Sequence, residues 1–228
     1  MAQTFTINPH LRHSAVFETS PPPGTLTLDE HTPLPTTLQL PARLLGVSGD
    51  SHLLSAKVLK RVRRPQGHLI TVVGTTAWFH AHDVAHWLTD QILHTRIITK
   101  AVSHDLRLAL HECLRNAIIH GNLGIGSSPR AEETDVTTLQ NYYAQVEERL
   151  KLPPLAEKHI ILQCWQDEVL LSCQITDQGA GCTQPLADVG VRHLGLGLTL
   201  VRQVVEHFAL KDEGRTAFFT LPCALADR

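Results

Sequence analysis

The chain has 228 residues, of which 43% are hydrophobic, and its 20 basic and 22 acidic side chains give a formal net charge of −2. This composition predicts a soluble protein with one substantial core, and the scattered basic residues give no sign of a nucleic-acid surface. No apolar stretch reaches membrane-spanning length and the first residues do not resemble a signal peptide, so we expect no membrane association and a cytoplasmic location. The odd number of cysteines, without a CxxC pair, predicts reduced thiols rather than a zinc site or a disulfide framework. They are Cys113, Cys164, Cys173, Cys182 and Cys223.

The first 65 residues are predicted to be an N-terminal extension, and residues 66–228 a separate domain. Residues 1–43 are rich in proline and threonine and have no sustained periodicity, which indicates an extended arm or loosely attached strands. Residues 52–64 have apolar side chains at helical spacing and a basic opposite face. This segment is either an ordinary surface helix or a helix that binds a partner.

The remaining elements follow from hydrophobic periodicity and from the positions of glycine and proline. Residues 123–135 are rich in glycine, serine and acidic residues and are predicted to be a loop. Strands are predicted over 69–73, 159–163, 169–175 and 217–221, and helices over 81–93, 103–121, 137–150 and 197–208.

Histidines near the start of the body raise the question of a metal site. His82, His86 and Asp90 recur at intervals of four residues, so one helix face can carry all three. The same spacing occurs on a surface helix whose other face is apolar, as Trp87 and Leu88 indicate here, and we favour that interpretation.

A polar stripe marks the predicted helix over 103–121. Glu112, Asn116 and His120 lie at i, i+4 and i+8, so a carboxylate, an amide and an imidazole share one face. This arrangement is typical of a nucleotide site, although a solvated polar stripe has the same pattern.

Two glycine-containing loops follow the predicted strands. Asp177, Gly179 and Gly181 form a D-x-G-x-G sequence, in which the carboxylate can accept a hydrogen bond from an exocyclic amine; an Asx turn has the same sequence. Gly195 and Gly197 come just before a predicted helix, whose free N–H groups suit a phosphate; a tight turn is the alternative.

Taken in order, these segments resemble the GHKL ATPase superfamily over residues 66–223. Residues 112–121 correspond to its N box, 177–181 and 195–198 to its two glycine boxes, and Gly214-Arg215-Thr216 to its closing G-x-T strand. The resemblance implies a two-layer α/β sandwich with a mixed, mostly antiparallel sheet, so that residues 66–228 are an ATP-binding domain. Asn-Ala-Ile-Ile-His-Gly-Asn over 116–122, and the connector over 142–154, are most similar to anti-sigma-factor serine kinases.

The resemblance also implies roles for individual residues. Glu112 is the general base, Asn116 a Mg²⁺ ligand, and Asp177 the acceptor of the adenine amino group. Gly179 and Gly181 let their loop lie against the base. The remaining candidates for nucleotide binding are Gly195, Gly197 and Leu198 in the lid and phosphate loop, Thr216 near adenine, and His120 and Arg192 near phosphate. For His120 a capping role, and for Arg192 a solvent-exposed position, are the alternatives.

The sequence therefore predicts a compact regulatory ATPase that uses ATP and Mg²⁺. We expect a serine/threonine protein kinase that transfers the γ-phosphate to a small antagonist protein and sequesters a sigma factor or another response protein. A non-catalytic nucleotide-sensing module is the alternative, because the lid over 183–193 is short. Two further hypotheses stay open: that the N-terminal arm carries the regulation, and that the protein forms a homodimer.

Overall fold

One mixed sheet is the framework of the protein. A computed structural model describes residues 25–46, 58–59, 62, 65–126, 136–181 and 196–224. The described residues form a seven-stranded sheet in the order β1-β2-β3-β4-β5-β7-β6. The strands are β1 Thr25–Leu28, β2 Ala42–Gly46, β3 His68–Thr75, β4 His159–Gln166, β5 Leu170–Thr176, β6 His207–Lys211 and β7 Thr216–Pro222. The β1–β2 and β2–β3 pairs are parallel and the other four are antiparallel, which confirms the predicted fold class.

Helices pack on one face of this sheet around the main hydrophobic core. They are α1 Thr76–Ala81, α2 Val84–His94, α3 Lys100–Asn116, α4 Val136–Leu150, α5 Pro153–Ala156 and α6 Leu196–Val204. A π-helical turn, Ala117–Asn122, continues α3, and a 3-10 turn, Asp212–Gly214, joins β6 to β7. None of the helices within the described ranges is long and apolar enough to cross a membrane.

The interior strand β3 is buried on both faces. Ile70 and Val72 belong to the main core, whereas Val73 packs in a second cluster with Leu45 and Leu59 on the other face. A strand covered on both sides has a continuous apolar run, which explains the pattern that predicted it. Leu59 is fully buried in this second cluster. It lies in the predicted basic helix over 52–64, of which only residues 58–59 and 62 are described.

Capping residues explain why several helices begin at residues other than those predicted. The helix predicted over 81–93 is confirmed from Val84 onward, because Asp83 accepts a hydrogen bond from the His86 N–H at 3.0 Å and starts α2 there; Ala81 ends the preceding helix α1. Thr99 likewise accepts from the Val102 N–H, so α3 begins before the predicted residue 103. The predicted helices over 103–121 and 137–150, and the four predicted strands, are otherwise confirmed.

The predicted helix over 197–208 is wrong at its C-terminal end. Helix α6 ends at Val204, and His207–Lys211 forms the edge strand β6, in which Phe208 pairs with Phe219 of β7. The apolar spacing that placed Phe208 on a helix face also fits a strand, and the cross-strand partner decides between them.

A strap over residues 29–41 connects β1 to β2 and crosses α2. The indole N–H of Trp87 donates to the Pro35 carbonyl at 2.7 Å. The Gln91 amide donates to the Thr36 carbonyl at 3.0 Å and accepts from the Leu38 N–H at 2.7 Å. Residues 25–46 of the N-terminal extension are therefore two strands of the main sheet and a strap that is hydrogen-bonded to α2.

The histidines of α1 and α2 face different partners. His82 lies with one ring nitrogen 2.8 Å from the Trp78 carbonyl and the other 3.2 Å from the Thr32 carbonyl. His86 instead pairs with Asp90 at 3.2 Å. Within the described ranges, no group of three or more metal-ligating side chains is positioned to hold an ion.

Candidate functional site

The C-terminal half of α3 presents Glu112 and Asn116 on one side, while Leu110, Cys113 and Leu114 are buried on the other. The Glu112 side chain is only 12% exposed. Its two carboxylate oxygens lie 3.2 Å from Nδ1 of His111 and 3.7 Å from Nη1 of Arg115. This carboxylate is therefore sheltered from bulk water and lies between two basic side chains.

Asn116 has an unsatisfied side chain. Its Nδ2 atom is buried and has no hydrogen-bond partner among the described residues. A buried polar group without a partner costs about 1–3 kcal/mol, so such a group is typical of a site that a ligand completes. A half-turn of the amide brings its oxygen to the same position, and an amide oxygen is a suitable Mg²⁺ ligand. The side chain thus fits the predicted metal role, which stays a prediction.

The π-helical turn after Asn116 brings the N box against the loop that follows β5. A Cβ atom on Gly121 would lie 2.5 Å from Cγ of Asp177, and one on Gly179 would lie 2.2 Å from the Gly121 carbonyl oxygen. Neither distance is open to a real Cβ atom. Gly179 is therefore required by the close approach of the Gly121 backbone, and Gly121 by the close approach of the Asp177 carboxylate. π-helical turns are frequent at functional sites.

Asp177 is fixed by the backbone on both sides. Its N–H donates to the Arg215 carbonyl at 3.0 Å, and its Oδ1 accepts from the Gly179 N–H at 2.7 Å. Burial raises the pKa of this carboxyl above its ordinary value, and the Gly179 N–H and the cations Lys158 and Arg215 oppose that rise. Only Oδ1 takes part in the hydrogen bond to Gly179, so the second carboxylate oxygen can accept from a ligand amine.

The end of this loop meets the turn before β7. Gly181 has φ +80°, and a Cβ atom there would lie 2.5 Å from the Glu213 carbonyl oxygen. Thr216 is buried at the start of β7, where its hydroxyl donates to Asp212 at 2.7 Å and lies 3.1 Å from the Thr176 hydroxyl. The G-x-T segment is therefore placed beside the Asp177 loop, with the Thr216 hydroxyl bound to protein.

Helix α6 closes the site from the other side. A Cβ atom on Gly197 would lie 2.0 Å from Oε2 of Glu112, so the first turn of α6 packs directly on that carboxylate. Leu198 packs against the main core. Arg192 and Gly195, the other predicted residues of this segment, lie outside the described residues.

The last residues of the N box face the protein. His120 lies with Nδ1 2.7 Å from the Ile125 carbonyl oxygen, which agrees with the capping alternative. Asn122 is fully buried and bonds to three other segments. Sequence analysis missed Lys158 and Gln178, which lie beside Asp177 and Asn122; no residue pattern in the sequence distinguishes them from surface positions.

A group of thiols lies behind the site. Burial raises the pKa of Cys113 to about 12, and Cys164 and Cys173 pair across β4 and β5 with their sulfur atoms 3.2 Å apart. Burial also raises the pKa of Cys173, so the thiols of Cys113 and Cys173 are protonated at neutral pH. Cys113, Cys164, Cys173 and Cys223 are free, and Cys182 lies outside the described residues.

The sheet and the three motifs that meet at the end of α3 define a nucleotide-binding α/β protein of the ATPase class. A sequence model described as the histidine kinase-like ATPase domain matches residues 78–220, which is more than half of the chain. The protein belongs to this family. The match begins within α1, so β1, β2 and β3 lie before it. No curated protein matches the chain.

Proposed function

We propose that this ATPase-family protein is a regulatory serine/threonine protein kinase, which transfers the γ-phosphate of ATP to a small antagonist protein. A sigma factor or another response protein is the second partner in this proposal. One observation carries it: the N box touches both glycine loops, with Gly121 against Asp177 and Gly197 against Glu112. The groups that read a base and the group that can act on a phosphate acceptor therefore belong to one site.

At the adenine end, Asp177 accepts a hydrogen bond from the exocyclic amine of the base. The loop approaches the base through Gly179 and Gly181, which present no side chain. Because the Asp177 carboxyl is partly desolvated, an amine that donates to it restores interactions lost on burial. This contact selects adenine over bases that have a carbonyl oxygen at the same position.

At the phosphate end, the N-terminus of α6 suits an anion, because the helix dipole places partial positive charge there. Asn116 would hold Mg²⁺ through its amide oxygen, with phosphate oxygens and water as the other ligands. When bound, the ion neutralises charge that develops on the transferred phosphoryl group.

Glu112 is the general base of the proposed transfer. It accepts the proton of a seryl or threonyl hydroxyl while the oxygen of that hydroxyl forms a bond to the γ-phosphorus. The bond from the γ-phosphorus to the bridging oxygen breaks, and ADP leaves with the electron pair.

A non-catalytic sensing function is the second candidate. It is favoured by the contacts of His111 and Arg115 with the Glu112 carboxylate, which occupy the group that the kinase reaction requires. In this candidate, nucleotide binding changes the affinity for a partner without phosphoryl transfer.

The test is phosphotransfer from γ-labelled ATP with Mg²⁺ to a candidate antagonist protein. We compare wild type with Glu112→Gln and with Glu148→Gln, a matched control whose carboxylate is 71% exposed on α4. Removal of the base is expected to lower transfer by about 100-fold or more, and the control is expected to match wild type. Equal transfer by Glu112→Gln would refute the kinase proposal. ATP binding without any transfer by wild type would favour the sensing function.

A further inference from the structure

Asn122 connects the end of the N box to three separate segments. Its Nδ2 donates to the Thr76 hydroxyl at 2.8 Å and to the His159 carbonyl at 3.2 Å, and its Oδ1 accepts from the Gln178 N–H at 2.7 Å. The two donors and the acceptor of the amide are all used, which fixes its orientation. The side chain is completely buried. It therefore joins the start of α1, the start of β4 and the Asp177 loop.

A second set of hydrogen bonds closes the network around Asn122. The Gln178 Oε1 accepts from the His159 N–H at 2.6 Å, so Gln178 is held through both its backbone and its side chain. The Lys158 carbonyl accepts from the Thr76 N–H and hydroxyl, at 2.8 Å and 3.0 Å. The Lys158 Nζ in turn donates to the Asn122 carbonyl at 3.0 Å. Because these bonds share partners, loss of the Asn122 amide affects all three segments together.

Three consecutive residues of the Asp177 loop each donate a backbone hydrogen bond. The Asp177 N–H donates to Arg215, the Gln178 N–H to Asn122, and the Gly179 N–H back to Asp177. Asn122 is the only one of these acceptors that belongs to the π-helical turn at the end of the N box. Its hydrogen bond therefore links this turn to the loop that carries the Asp177 carboxylate.

We propose that Asn122 is a positioning residue for adenine recognition, which holds Asp177 where it can accept from the exocyclic amine. This inference rests on the proposed ATP site and deepens it. Asn122 does not touch the ligand in this proposal; it acts through the Gln178 N–H on the neighbouring carboxylate. Its backbone carbonyl also orients Lys158, whose charge favours the ionised form of Asp177.

The test compares ATP with purine riboside triphosphate, which differs from ATP only by the absence of the 6-amino group. Both ligands are titrated with Mg²⁺ by calorimetry into wild type, Asn122→Ala and Asp177→Asn. A positioning role predicts that Asn122→Ala lowers the affinity for ATP by about tenfold and the affinity for purine riboside triphosphate by less than about twofold. The preference for the 6-amino group is therefore expected to fall, as it does in Asp177→Asn. In the Asp177→Asn background, Asn122→Ala is expected to change that preference no further.

A buried control separates positioning from general destabilisation. Thr89→Val removes a buried hydroxyl whose hydrogen bond, 2.8 Å to the Ala85 carbonyl, lies within α2. It is expected to lower the melting temperature while keeping the ATP preference of wild type. If Asn122→Ala fails to fold, Asn122→Ser decides the matter, because it removes the amide bonds to Thr76, His159 and Gln178 while keeping a polar group at this position. Asn122→Ser is then expected to lower the preference as well.

The outcomes distinguish the two proposals. An Asn122→Ala protein that keeps the wild-type preference, or an equal loss of affinity for both ligands, would overturn the positioning role. If Asn122→Ala does not fold, an unchanged preference in Asn122→Ser would do the same. Failure of wild type to bind ATP, or an undiminished preference in Asp177→Asn, would instead overturn the ATP site itself.

Discussion

Gly179→Ala is the most direct perturbation of the contact between the N box and the Asp177 loop. The added Cβ atom would lie 2.2 Å from the Gly121 carbonyl oxygen, 2.4 Å from its carbonyl carbon and 2.7 Å from its Cα. All three atoms are backbone, so no side-chain rotation relieves the overlap. The turn is also held by the Leu123 N–H to Ile118 and the Ile125 N–H to Ile119, at 2.9 Å and 2.8 Å. The two segments must therefore separate by about 1 Å to reach an ordinary contact distance.

The size of the effect follows from this rigid contact. Overpacking of a well-packed site costs about 1–3 kcal/mol, and we expect the upper end because both surfaces are backbone. For a protein of this length, about 3 kcal/mol corresponds to a fall in Tm of about 6–12 °C. The same displacement moves Asp177 away from the N box, so ATP affinity is expected to fall by about tenfold or more.

Gly126→Ala is the matched control. A Cβ atom on Gly126 has no neighbour within 4 Å, so this variant is expected to change the free energy of unfolding by about 0.5 kcal/mol or less. Thermal unfolding followed by circular dichroism and calorimetric ATP titration are measured on both variants. If Gly179→Ala matches Gly126→Ala in Tm and in ATP affinity, the close contact does not hold the site together and the argument is refuted.

Three further predictions concern the base, the pH response and the strap. Gly197→Ala places a Cβ atom 2.0 Å from Oε2 of Glu112, which is the end of a flexible side chain and can move aside. We therefore expect a Tm within about 2 °C of wild type but phosphoryl transfer at least about tenfold slower. A folding defect with normal transfer would contradict this prediction. Burial lowers the pKa of His159, so the folded protein favours the neutral ring. The neutral ring's contribution to stability is complete above the ordinary pKa of 6.5 and is lost as the pH falls through the lowered pKa. The loss of stability on acidification should therefore be smaller in His159→Phe than in wild type. Urea unfolding at pH 7.5 and 5.5 measures this difference. Gln91→Ala removes both amide bonds to the strap and is expected to cost about 1–3 kcal/mol and to speed proteolysis within residues 29–41, whereas the exposed Gln145→Ala is expected to do neither.

The sequence predicts the parts of this fold whose signals are local. The apolar run around Ile70 and Val72 marks a buried strand, and the apolar face of α3 places Glu112 and Asn116 together on the opposite side. The glycine pattern after β5 indicates a close approach, and the structure supplies its partner, the Gly121 backbone. Local periodicity and glycine spacing were sufficient because each of these features is determined within one segment.

Features that depend on distant partners were not predictable in this way. The strand β6 is fixed by pairing with β7, although Phe208 also fits a helix pattern. The strap that joins the parallel strands β1 and β2 is held by Trp87 and Gln91, which come from a helix more than 50 residues away. The role of Asn122 depends on three segments whose proximity exists only in the folded chain.

The central claim is that the N box and the Asp177 loop form one ATP site. Calorimetric titration with ATP, with and without Mg²⁺, on wild type and Asp177→Asn tests it most directly. The account predicts that wild type binds one ATP per chain and that Asp177→Asn binds at least about tenfold more weakly. Because burial raises the pKa of Asp177, the ionised carboxyl destabilises the fold at neutral pH, and the variant is expected to be at least as stable as wild type without nucleotide. Absence of ATP binding by wild type, or unchanged affinity in a folded Asp177→Asn protein, would contradict the account.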